Sequence, residues 1–230
     1  HELGVGIHTH LAETDSEVRG SYEKHGCSPV ELFDRFGLLR SDTVAAHCVR
    51  LSIADINILS YRGVSAAINT ASNLKLGNGT PPIASLRRHG VNLCLGTDSA
   101  ASNNSLNFFE EMKVFALASK TWYNDPKAVS PTQALYAATR AGALGQGRED
   151  CGLVKEGFKA DLLVADISQP NMHPVHDLKN NLVYSASGSD VLMTMVDGEI
   201  LYKDGEYYSI DVEKTIFEAQ KATKKILGQL

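Results

Sequence analysis

The chain has 230 residues, 43% hydrophobic and 21% charged, with 19 Gly and 7 Pro, enough to bury a full core in one large domain or one domain with an appendage. A formal net charge of −5 argues against a nucleic-acid or anionic-membrane surface, which needs a basic patch. No run approaches the roughly 18 consecutive apolar residues of a membrane span. The cysteines, Cys27, Cys48, Cys94 and Cys151, are far apart and never spaced C-x-x-C, which points to reduced thiols in a cytoplasm rather than a zinc ribbon or a redox motif.

The opening HELGVGIHTH runs into a strand with no initiator Met, no leader-type segment and no capping element, as expected of a chain that begins inside a larger fold. Residues 5–11 (VGIHTHL) predict that strand, and Thr14-x-x-Glu17 a capping box for the helix after it. Ser28, Pro29 and Glu31 open a second helix that should stop at Gly37. TVAAHCV (43–49) predicts a strand, Ser52-x-x-Asp55 a helix over IADINILSYRG, and GVSAAIN (63–69) a third strand. An SNLKLGNGTPP loop, a short SLRRHG helix and a fourth strand, VNLCLGTD (91–98), follow. The strands are near-continuous apolar runs, as parallel strands covered on both faces require. Their regular alternation with helices predicts βα repeats, in a barrel or a doubly wound sheet.

Helices are expected over about 104–120 and 130–144, the second started by Ser130, Pro131 and Gln133. Near residue 151 the character changes. CGLVKEGFKADLLVAD and DVLMTMVDGEILYKDGEYY, with Asp197-Gly198 and Asp204-Gly205 turns, predict an antiparallel module. A helix over 211–230 carries Ile216, Phe217, Ala219, Ala222 and Ile226 on one prospective docking face. The expected division is therefore 1–150, 151–210 and 211–230.

His10, His47 and Asp98 fall at the C-terminal ends of predicted parallel strands, the edge where catalytic groups of a (β/α)8 barrel converge. Imidazole nitrogens and a carboxylate suit a metal ion, and Glu13, just past a strand end, could carry protons beside it. Each has a plainer reading: Asp98 as a helix N-cap, Glu13 as a first-turn acid, a lone histidine as a hydrogen-bonded structural residue. His8 shares a strand face with His10 but lies one layer deeper, in a packed or supporting role; His89, His173 and His176 read as structural. Positions 10 and 98 are 88 residues apart, room for three further strands when eight βα units take about 250 residues. His8-x-His10 is thus expected on a middle strand, the fifth, with His47 on the sixth and Asp98 on the eighth.

HLAET (10–14), AHC (46–48), SNLKLGNG (72–79) and LGTDSAASNN (95–104) together resemble the amidohydrolase superfamily. They are most similar to its 5-methylthioadenosine/S-adenosylhomocysteine deaminases, with chlorohydrolases and guanine deaminases as near relatives. The resemblance covers essentially the whole chain, as the C-terminal half of a family member. It implies an α/β fold: about strands 5–8 of a (β/α)8 TIM-type barrel, part of a small β-sandwich domain, and a C-terminal helix. It further implies one divalent metal, zinc or alternatively Fe2+, with His10 and Asp98 as ligands and no other cofactor. His47 would orient the metal-bound water, Asp98 take its proton, and Glu13 protonate a purine ring nitrogen as ammonia leaves. Glu13, Asn73 and Ser99 would contact a small-molecule nucleoside, in a cytoplasmic homo-oligomer that binds neither nucleic acid nor membrane. Two departures bear on substrate preference: Ile68-Asn69-Thr70 stands where an HNP-type tripeptide is frequent, and Ser99 where glycine is common. The alternatives are a triazine-type chlorohydrolase or another ring deaminase of the guanine or cytosine type, and an inert piece lacking upstream metal ligands.

Overall fold

The computed structural model describes residues 4–228. The four expected strands, β1 (Ile7–Leu11), β2 (Thr43–His47), β3 (Ser65–Ile68) and β4 (Asn92–Leu95), form one parallel sheet in chain order. Helices α1 (Asp15–His25), α2 (Pro29–Arg35) and α3 (Ile53–Arg62) start where the capping signals predicted. The Thr14 hydroxyl accepts from the Glu17 amide, and Ser28–Glu31 and Ser52–Asp55 are complete capping boxes. These contacts satisfy amide donors that a helix start otherwise leaves open.

Alternation along the strands separates two faces. Leu11, Ala45, Ala66 and Ile68 are buried in the main core, beneath Val30, Ile56, Leu59 and Leu86 of the surrounding segments. On the other face, His10, Ala46, Ala67 and Cys94 lie in register across all four strands. The row of small side chains beside His10 leaves a cavity there of about 710 Å³. Strands β1 and β4 are the two edges of the sheet, and no strand pairs with their outer sides among the described residues.

Several segments depart from expectation. SNLK, expected in a loop, lies in a short helix, α4 (Thr70–Lys75), followed by α5 (Ile83–Arg88). The helix expected from about 104 begins four residues later, as α6 (Phe108–Tyr123), because Asn107 caps it through the Phe109 amide. The 130–144 helix is broken at Thr139, whose φ of −125° and ψ of −89° are not helical, into α7 (Pro131–Ala138) and α8 (Arg140–Gly145).

The antiparallel sheet consists of β5 (Leu162–Ala165), β6 (Val191–Val196), β7 (Glu199–Lys203) and β8 (Glu206–Tyr207). It is a single four-stranded sheet. An additional helix, α9 (Leu178–Tyr184), packs on α6 and α7, and Met172, Val183 and Ala186 join the main core. The final helix, α10 (Val212–Leu227), buries no residue. Its expected apolar face is present but docks on nothing among the described residues, and positions 229–230 of that expected helix lie outside them.

Candidate metal and catalytic site

The segment after β1 turns sharply at Ala12, where φ is 51°. The turn is fixed by Glu17, whose two carboxylate oxygens accept the amides of Ala12 and Glu13 at 2.7 Å each. One residue of α1 thereby positions Glu13 beside the strand end that carries His10.

His47 ends β2. Strict alternation would aim it with Ala45 toward the helices, but its φ of 74°, followed by 51° at Cys48, breaks that alternation. The His47 ring instead stacks on His10 at a centroid distance of 5.2 Å. Its Nδ1 lies 2.8 Å from Asn73 Oδ1 and its Nε2 lies 3.7 Å from Glu13 Oε2. An amide oxygen can only accept, so Nδ1 carries the proton and Nε2 faces the site. Glu13 Oε1 accepts from Asn78 Nδ2 at 2.8 Å.

Asp98 follows β4 with φ at 61°. In the turn before it, Gly96 lets Asn69 Oδ1 approach the backbone closely; a Cβ there would force that side chain to move. Ser72 Oγ donates to Asp98 Oδ2 at 2.5 Å, Ser102 Oγ to the same oxygen at 2.9 Å, and the Ser99 amide to Oδ1 at 2.7 Å. Partial burial pushes the carboxyl upward, but these hydrogen bonds and nearby His47 outweigh it and hold Asp98 below its usual pKa. Asp98 is therefore an anion throughout the neutral range.

These turns bring three of the expected residues together: one ligand-type atom each of His10, His47 and Asp98 lies within 4.8 Å of the others. Glu13 stands beside them. Ser99 is at the exposed rim next to Asp98. Asn73, expected to contact substrate, is fully buried and bonds His47. His8, expected in a packed or supporting role, is exposed and lines the cavity with His10 and Asp98. Sequence reasoning gave no site role to Glu17, Ser72, Ser102 or Asn78, although Glu17 closes a capping pattern and the other three lie in the motifs SNLKLGNG and LGTDSAASNN.

An amidohydrolase family model matches residues 1–201. The chain belongs to the amidohydrolase family. Among its relatives, a 5-methylthioadenosine/S-adenosylhomocysteine deaminase of Dictyoglomus thermophilum is 43% identical over 226 residues, 98% of this chain and 53% of that protein. A 5'-deoxyadenosine deaminase of Methanosarcina mazei is 43% identical over 227 residues, 99% of this chain and 52% of that protein. The amidohydrolase chain thus spans about half the length of the curated relatives it matches. A solved adenosine deaminase from Xanthomonas campestris with bound zinc superposes with a TM-score of 0.95 at 33% identity, covering 99% of this chain and 52% of that one. A triazine hydrolase variant superposes with a TM-score of 0.89 at 26% identity, covering 96% and 48%.

Proposed function

We propose that this amidohydrolase chain is the C-terminal half of a metal-dependent hydrolytic deaminase of adenosine-type nucleosides, with 5-methylthioadenosine and S-adenosylhomocysteine as its substrate class. It would contribute about strands 5–8 of a (β/α)8 barrel. The convergence of His10, His47 and Asp98 within 4.8 Å, with Glu13 alongside, carries the reading. The relatives' names and the half-length coverage support it. So do the two unpaired sheet edges and the exposed histidines of the inner face, which suit a sheet that continues.

The donor set fits a divalent ion, zinc or Fe2+: two imidazoles and an ionised carboxylate are borderline-to-hard ligands with one side open to the cavity. His10 and Asp98 would hold it, and when bound it would lower the pKa of water toward neutrality. Asp98, kept anionic, accepts the proton that the attacking water gives up. His47, its Nδ1 committed to Asn73, presents Nε2 to fix the water's position. Glu13, held by Asn78 and the Glu17-braced turn, delivers a proton to the ring nitrogen beside the attacked carbon. Water adds to the amino-bearing carbon, Asp98 passes the proton it took to the amino group, the new hydroxyl returns a proton to Glu13, and the C–N bond breaks with release of ammonia. Ser99 would contact the substrate at the rim, and the burial of Asn73 and its bond to His47 support a role in orienting that ring.

The test is turnover by the full-length protein carrying residues 1–230. Ammonia release from methylthioadenosine, S-adenosylhomocysteine or 5'-deoxyadenosine is expected. Chloride release from a chlorotriazine with no ammonia from any nucleoside would replace the deaminase reading with a chlorohydrolase.

A further inference from the structure

Asp55, Glu111 and Asp190 are buried carboxylates outside the site, and of these Glu111 touches the segments that carry the site residues. Glu111, on α6, is 1% exposed, and no Lys or Arg pairs with it among the described residues. Its Oε1 accepts the Thr70 amide at 2.6 Å and the Ala71 amide at 3.2 Å. Its Oε2 accepts Asn103 Nδ2 at 3.3 Å, and that same Nδ2 donates to the Thr97 carbonyl at 2.7 Å. Thr70 and Ala71 open α4, whose own N-cap residue, Asn69, makes no side-chain cap bond. Glu111 therefore caps α4 from another helix and ties the cap to the loop bearing Asp98.

Both cargoes of α4 face the site: Ser72 bonds Asp98, and Asn73 bonds His47. A buried anion without a cation is expensive, and burial does push the Glu111 carboxyl upward. A leucine would serve the core better. What a leucine could not do is satisfy two helix-end amides and Asn103 at once.

We infer that Glu111 is a positioning residue of the active site, acting through α4 on His47 and through Asn103 on the Asp98 loop. The inference rests on the proposed catalytic reading, but its first test does not. With 15N-labelled histidine, the buried His47 Nδ1–H of the full-length protein reports the Asn73 bond directly. Glu111→Gln, equal in shape but uncharged, should shift or broaden that resonance while the fold and the metal content persist. Where Glu111→Gln is unstable, Glu111→Asp, which keeps the charge but withdraws it from the Thr70 amide, should give the same change. An unchanged His47 resonance in a folded variant overturns the inference whatever the substrate.

The kinetic arm is a double-mutant cycle with Asn73→Ala. Each single change should lower kcat about 10- to 100-fold, the usual range for groups that orient ligands from behind, with KM little altered. The double variant should be scarcely worse than the poorer single. Losses that multiply in the double variant would mean that Glu111 does not act through Asn73. A wild type that releases no ammonia from any nucleoside would sink the proposed reaction and leave the resonance test standing.

Discussion

The amide of Asn73 dictates which nitrogen of His47 faces Glu13: it meets Nδ1 at 2.8 Å, and both side chains are buried. Removing the amide leaves an imidazole N–H without a partner, at a cost of about 1–3 kcal/mol. Asn73→Ala is expected to lower the urea midpoint of the full-length protein accordingly, beyond its effect on turnover. An unchanged midpoint would mean that the ring finds another acceptor.

His10 lies on β1 and Glu13 follows the turn at Ala12, and the proposed mechanism gives them separable tasks. His10→Ala should strip metal from the full-length protein, read as metal content after dialysis. Glu13→Gln should retain the metal and lose about 10²- to 10⁴-fold in turnover, the usual contribution of a positioned proton donor. Full activity in Glu13→Gln would remove Glu13 from the mechanism.

All four cysteines are free and buried. Burial pushes the Cys48 thiol up from 9.0 to about 12, with Cys94 and Glu17 adding to it, and pushes Cys94 to about 11. A raised thiol pKa gives stability that is complete below the unfolded value and lost as pH rises toward the folded one. The window is therefore alkaline, from about 9 to about 12. Thiol reagents at pH 8 should leave the native protein unmodified and label every cysteine after unfolding, and Cys48→Ala should flatten the alkaline loss of stability. Native labelling of Cys48 would contradict this.

Two phenylalanines separate core from surface. Phe115 is 2% exposed within the main core, and Phe115→Ala is expected to cost about 3–5 kcal/mol. Phe217, on α10, is 62% exposed, and Phe217→Ser should change the stability of residues 1–230 by less than about 0.5 kcal/mol. A large loss from Phe217→Ser would show that α10 has found a docking partner.

The strands and the first three helices were legible because their signals are local: apolar runs, capping signals and left-handed glycines at Gly37 and Gly63. His10, His47 and Asp98 were legible for a related reason, since each sits at the end of such a run. Helix α4 was not, because its cap, Glu111, comes from 41 residues away and leaves no pattern in residues 70–75. The placement of Asn73 behind His47 was hidden likewise, the two being 26 residues apart. For α10 the sequence showed which side is apolar, and periodicity carries no information about what that side meets.

The left-handed turns at Ala12, His47, Cys48 and Asp98 have a consequence for anyone evolving this protein. Each holds a side-chain-bearing residue in a conformation that disfavours it by about 1 kcal/mol or more. Glycine at Ala12 or Cys48 would relax the chain locally, and in the same stroke unfasten the backbone that aims His10, Glu13 and His47. A library screened for heat resistance alone should collect such glycines at the cleft and lose its chemistry there. One screened for turnover should keep the awkward residues and harvest its ruggedness elsewhere.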